Sequence, residues 1–114
     1  MNFIQLGNQR RAEERGAILR SLQEDYGREM TTVRSLSGAL DLQGYPMSVE
    51  SLQFSLQYLG DQGYIDVIRA SQVPGYRRDR MGAGKPDTII FVKLRPKGVQ
   101  LLVGTAAEDP GVRF

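Results

Sequence analysis

Apolar residues follow helical spacing over three stretches of the chain and then switch to strand spacing. From about Arg11 to Tyr26, the residues Ala12, Ile18, Leu19, Leu22 and Tyr26 share one helical face, and Gly27 stands where a helix end calls for a positive φ. A second helix is expected from an N-cap at Thr31 or Thr32 to about Leu42, with Val33, Leu36, Ala39 and Leu40 as its stripe and Gly44 as its stop. The turn Gly44-Tyr45-Pro46 separates it from a third helix, because Pro46 biases Tyr45 away from helical torsions. That third helix begins at an N-cap Ser48, has Glu50 near the positive end of its dipole and stops at Gly63. Val49, Leu52, Leu56 and Leu59 form its inward stripe, and Glu50, Gln53, Phe54, Gln57, Tyr58 and Asp61 lie on the opposite side.

Beyond Gly63 the period changes. Tyr64 to Arg69 and Thr88 to Leu94 are β-branched and aromatic, which predicts two strands. The intervening segment is rich in Gly, Pro and Arg and reads as a long hairpin tip over about 70–87. Pro96 suits the first turn of a last helix, Pro96 to Val103, stopped by Gly104. Residues 1–10 are expected to form an N-terminal arm and 105–114 a flexible tail, leaving one α+β domain over 11–104. With 114 residues, two domains would each be too small to bury a useful core.

Composition narrows the chemistry. The chain has no Cys and no His, which removes disulfides, thiolate zinc sites, the commonest metal ligand and the commonest general base. The carboxylates are scattered among lysines and arginines and match no metal-binding loop or paired-acid site. No catalysis, metal or cofactor is expected. No apolar run is long enough to span a bilayer and the first residues lack the apolar core of a secretory signal, so a cytoplasmic location is the expectation.

Charge is uneven. Residues 1–68 hold six arginines against nine acids, net −3, whereas 69–97 hold eight cations against two acids, net +6. Arg77, Arg78, Arg80 and Lys85 crowd the hairpin tip with Tyr76, a composition suited to gripping phosphates or entering a minor groove, or to a solvated basic loop. Gly82-Ala83-Gly84-Lys85 lacks the spacing of a phosphate-binding loop and opens no helix.

Two segments carry a family likeness. Leu52, Leu56, Leu59, Gly63, Tyr64 and Ile65 resemble the third helix of winged-helix proteins and its exit into the first wing strand. Leu94-Arg95-Pro96-Lys97-Gly98-Val99-Gln100-Leu101-Leu102 resembles the leucine–threonine–proline–lysine–glycine passage that ends the wing in many bacterial winged-helix regulators, with Arg95 in place of the usual Thr. Small proteins of this type also occur in Mu-like prophages. The resemblance spans roughly residues 11–104 and implies a three-helix winged helix-turn-helix with a β-hairpin wing and a C-terminal helix. It implies a small transcriptional regulator that binds duplex DNA, with the third helix in the major groove.

On that reading Ser51, Gln53, Phe54 and Gln57 face the bases, Arg34 adds a phosphate contact, and Arg77, Arg78, Arg80 and Lys85 hold the backbone. Homodimerisation is expected through Ala17, Leu101, Leu102 and Val103. Against this, the third helix has no Lys or Arg between Ser48 and Gln62. The alternative is a protein-interaction module with no DNA ligand, docking a partner through Phe54 and Tyr58 while the arginine loop meets an acidic surface. Burial of those two aromatics, under the wing or against a partner chain, favours DNA; exposure as a cluster favours a protein partner.

Overall fold

A computed structural model gives the architecture, and it describes residues 3–25, 30–75 and 85–114, with the side chains of residues 3–6 left out. Four helices, α1 (Phe3–Gln23), α2 (Val33–Leu42), α3 (Val49–Asp61) and α4 (Pro96–Leu102), pack on an antiparallel sheet of β1 (Thr31–Thr32), β2 (Ile65–Arg69) and β3 (Ile89–Leu94). The strand order is β1-β3-β2, so consecutive β2 and β3 form a hairpin with β1 along the other edge of β3.

The local signals that fix these elements are visible in the caps. Thr32 and Ser48 are extended, and their hydroxyls accept from the Ser35 and Ser51 N–H groups, satisfying donors that the first turns of α2 and α3 leave free. At the other end of α3, Gly63 has φ +80° and Tyr64 N–H donates to Leu59 C=O, a closure that a side chain at residue 63 would oppose. Pro96 opens α4, and Arg95 at its N-cap makes no capping hydrogen bond; its guanidinium lies 3.6 Å from Asp66 instead.

The core joins Ile18, Leu19 and Leu22 of α1, Leu36 and Leu40 of α2, Leu52, Leu56 and Leu59 of α3, and Ile65, Ile89, Val92 and Leu94 of the sheet. Val49 departs from the expected stripe. It is 72% exposed, as is Leu42 at 91%, because the two flank the α2–α3 turn and a stripe is buried only where a neighbouring element covers it. A bulge interrupts the hairpin: Ile68 pairs with Phe91 and Arg69 with Ile89, leaving Ile90 as an extra residue. The bulge turns Ile89 into the main core, while Ile90 joins Ala70, Val73 and Phe91 in a small second cluster where the described strands of the hairpin end.

Both chain ends differ from expectation. The 1–10 region is not a separate arm, since α1 runs unbroken from Phe3. Residues 105–114 do not trail away: Val112 is buried at 7% exposure, and Arg113 N–H donates to Ala12 C=O. Tyr26 and Gly27, placed at the end of the first helix by the sequence pattern, lie outside the described residues.

Candidate nucleic-acid interface

α3 sorts the predicted residues onto two flanks. On the flank facing the hairpin, the Gln53 carboxamide holds both backbone groups of Ile89: Nε2 donates to Ile89 C=O at 2.8 Å, and Oε1 accepts from Ile89 N–H at 2.8 Å. One turn on, Gln57 Oε1 accepts from the Arg69 guanidinium, and Gln57 Nε2 donates to Asp61 at 2.8 Å. Arg69 continues the chain, donating from Nη1 to Asp87 C=O at 2.7 Å, while its own N–H is accepted by Gln72. Both glutamines expected to reach bases are therefore hydrogen-bonded to the β2–β3 hairpin. They fix the two strands of the hairpin, and with them the start and end of the basic segment, against α3.

The cations divide differently. Arg34, early in α2, and Lys85, where the described part of the hairpin resumes, are both exposed. Arg77, Arg78 and Arg80 lie outside the described residues. Ser51 is exposed at the first turn of α3, its N–H capped by Ser48.

On the other flank Phe54 and Tyr58 face α1 and have separate fates. Phe54 is 62% exposed with the Arg11 guanidinium 5.9 Å from its ring centroid. Tyr58 is half-buried, with Arg15 stacked 4.0 Å above its ring. Residues 105–114 cover this second rung. Tyr58 and Tyr64 both donate to Asp109, at 2.8 and 2.7 Å, Gly111 N–H donates to the same carboxylate at 2.8 Å, and Arg15 donates to Gly111 C=O at 3.2 Å. Sequence reasoning missed Arg15, Tyr64 and Asp109 as a unit; Asp109-Pro110-Gly111 is a turn signal, but nothing in it names a partner.

The electrostatics follow from this packing. Burial favours the neutral form of Asp109, but hydrogen bonds from Tyr64, Tyr58 and Gly111, with the Arg15 charge beside them, outweigh it and hold the carboxyl below its usual range. Burial and the bond to Asp109 push the Tyr64 hydroxyl up to about 12 and raise that of Tyr58 as well. Desolvation lowers Arg15 from its ordinary value. Among the described residues no group of three acidic side chains could hold a metal ion, and no helix is long and apolar enough to cross a membrane. Of the four residues expected at a dimer interface, Ala17 and Leu101 are buried within their own chain, Leu102 is half-buried and Val103 is exposed.

Comparison of the chain with protein-family models, curated proteins and solved structures finds no match.

Proposed function

We propose that the chain is a winged-helix DNA-binding module that grips the duplex backbone through the cations of its β2–β3 hairpin. The order of elements, a helix, a short strand, two helices joined by a turn, a hairpin and a last helix, is the arrangement such a module needs. One observation carries the reading. Gln53 and the Gln57–Arg69–Asp87 chain tie both ends of the basic segment to α3, so the stretch of sequence that carries Arg77, Arg78, Arg80 and Lys85 lies between anchored ends. Anchoring lowers the ordering entropy that a cationic loop loses on seizing phosphates. With its glutamines occupied, α3 contributes little base discrimination, leaving Ser51 and a thymine-methyl contact from Phe54. A homodimer on paired half-sites, acting as a small regulator, completes the proposal.

A second reading has its own support. Leu42, Val49 and Phe54 are exposed apolar residues around the α2–α3 unit, and α3 offers no cation between Ser48 and Gln62, which suits a protein partner better than a polyanion.

Fluorescence anisotropy with a generic duplex across a salt series separates the two. Binding is expected to weaken linearly in log salt, and Arg77→Ala/Arg78→Ala/Arg80→Ala to reduce the slope by roughly 2 to 3. Absence of binding even at low salt overturns the DNA reading and leaves the protein-interaction module.

A further inference from the structure

The segment 105–114 meets its surface as a ligand meets a receptor. The receptor is made by α1, α3 and Tyr64. Two phenol hydroxyls converge on the Asp109 carboxylate, Arg15 reaches Gly111 C=O, and Ala12 C=O accepts the Arg113 N–H. Gly16 is what lets the backbone in: a Cβ there would sit 1.9 Å from Arg113 C=O oxygen. Val112 supplies the apolar anchor and Phe114 rests near Arg20, 5.4 Å from ring centroid to guanidinium.

The connection is weak by contrast. Residues 103–108 are exposed apart from a half-buried Ala106, and the bonds linking Thr105 and Ala106 to α4, from their N–H groups and the Thr105 hydroxyl, all converge on the single acceptor Gln100 C=O. In the docked state Arg15 Nε is buried with no hydrogen-bond partner among the described residues, a cost that reduces the net gain from docking. A cleft of about 900 Å³ opens between α1, α4 and the strap, beside this hinge.

We propose that the Gly16–Arg15–Tyr58–Tyr64 surface is a receptor for the Asp-Pro-Gly-Val strap of a second copy of this chain, so that two copies associate by exchanging residues 105–114. The contacts of residues 109–114 are recovered in the exchanged form, which leaves the hinge bonds from Thr105 and Ala106 to Gln100 and association entropy as the opposing costs. Six hinge residues reach about 20 Å when extended, the span available for carrying residues 109–114 to a second copy. The proposal stands independently of the DNA reading.

Complementation tests it. The Asp109→Ala chain has a broken strap and an intact receptor, and the Gly16→Ala chain has an intact strap and a blocked receptor. Light scattering of the wild-type chain is expected to show a dimer forming between ~1 µM and ~1 mM, a range that spans weak to moderate association. Each variant alone is expected to stay monomeric, and an equimolar mixture to recover dimer through the one competent strap–receptor pair. A wild-type chain monomeric throughout, a dimer that persists in both variants, or folded variants that remain monomeric when mixed overturns the proposal. A second arm avoids the receptor variant. A fluorescent peptide of residues 105–114 is titrated onto the full Asp109→Ala chain, and saturable binding that Asp109→Ala in the peptide weakens by at least about tenfold is expected from losing charge-assisted bonds. No binding of the native peptide overturns the receptor assignment.

Discussion

The two flanks of α3 hold neighbouring elements by opposite means. Toward the hairpin, Gln53 and Gln57 use neutral amides on backbone groups and on one arginine, and they fix strands that are already paired with each other. Toward α1 and the strap, Tyr58 works with Tyr64 and Arg15 around a single carboxylate, and the strap they fix has no strand partner of its own. The contrast teaches that hydrogen bonds of similar length differ in consequence. Losing the glutamine clamp loosens one end of a hairpin that its own ladder still maintains, whereas losing Asp109 removes the acceptor of three of the strap's bonds and leaves it Arg15, Ala12 C=O and the burial of Val112.

The largest effect is expected where both flanks share a foundation. Leu56 is fully buried in the common core, and Leu56→Ala is expected to cost about 2–5 kcal/mol and to lower the protection of hairpin and strap together, as read by denaturant melts and hydrogen exchange. A loss of protection confined to one flank would show that the two do not share a core. Next comes Asp109→Ala, expected to cost about 1.5–3 kcal/mol, the range for hydrogen bonds to a charged group. Amide exchange is expected to quicken at Val112 and Arg113 while β3 stays protected. Gln53→Ala should follow at about 1–3 kcal/mol by leaving Ile89 N–H and C=O without their amide partner, with faster exchange in 88–91 and an unchanged strap.

pH sharpens the same comparison, because the titrating groups shifted by packing cluster on the strap flank. Tyr64 has its folded value raised, so its contribution is complete below the unfolded value of about 10 and is lost as pH rises toward about 12. Asp109 has its folded value lowered, so its contribution is present above the ordinary carboxylate value of about 3.9 and is lost as pH falls through the depressed one. Melting temperatures across both limbs are expected to flatten in Asp109→Ala and to keep their shape in Gln53→Ala. The smallest effect is expected from Phe54→Ala, within about 0.5 kcal/mol of wild type, since the ring is mostly solvated. A larger stability loss would mean that Phe54 is a packing residue and unsuited to any docking role.

Much of the fold was legible because its signals are local. Ser48 and Thr32 cap helices through atoms three residues away, Gly63 answers a backbone torsion, and the change of period after it marks a strand. The site was less so. Gln53 and Gln57 are expected from the sequence to read bases, yet a glutamine that reads adenine and one that clamps a strand have the same spacing and chemistry. The Ile90 bulge decided between them by turning Ile89 toward α3. The tail was misjudged because ten residues without periodicity carry no signal of docking.

The sequence by itself therefore determined α2, α3, α4 and the inner part of α1, the hairpin, the concentration of cations between β2 and β3, and the exclusion of Cys and His chemistry, all set by residue type and near-neighbour spacing. Only the tertiary structure decided which polar side chains remain free, that Gly16 makes room for a returning strap, and that Asp109 gathers Tyr58, Tyr64 and Arg15. Those outcomes depend on residues up to 96 positions apart, brought together by burial of the shared core, and no local pattern encodes such a meeting.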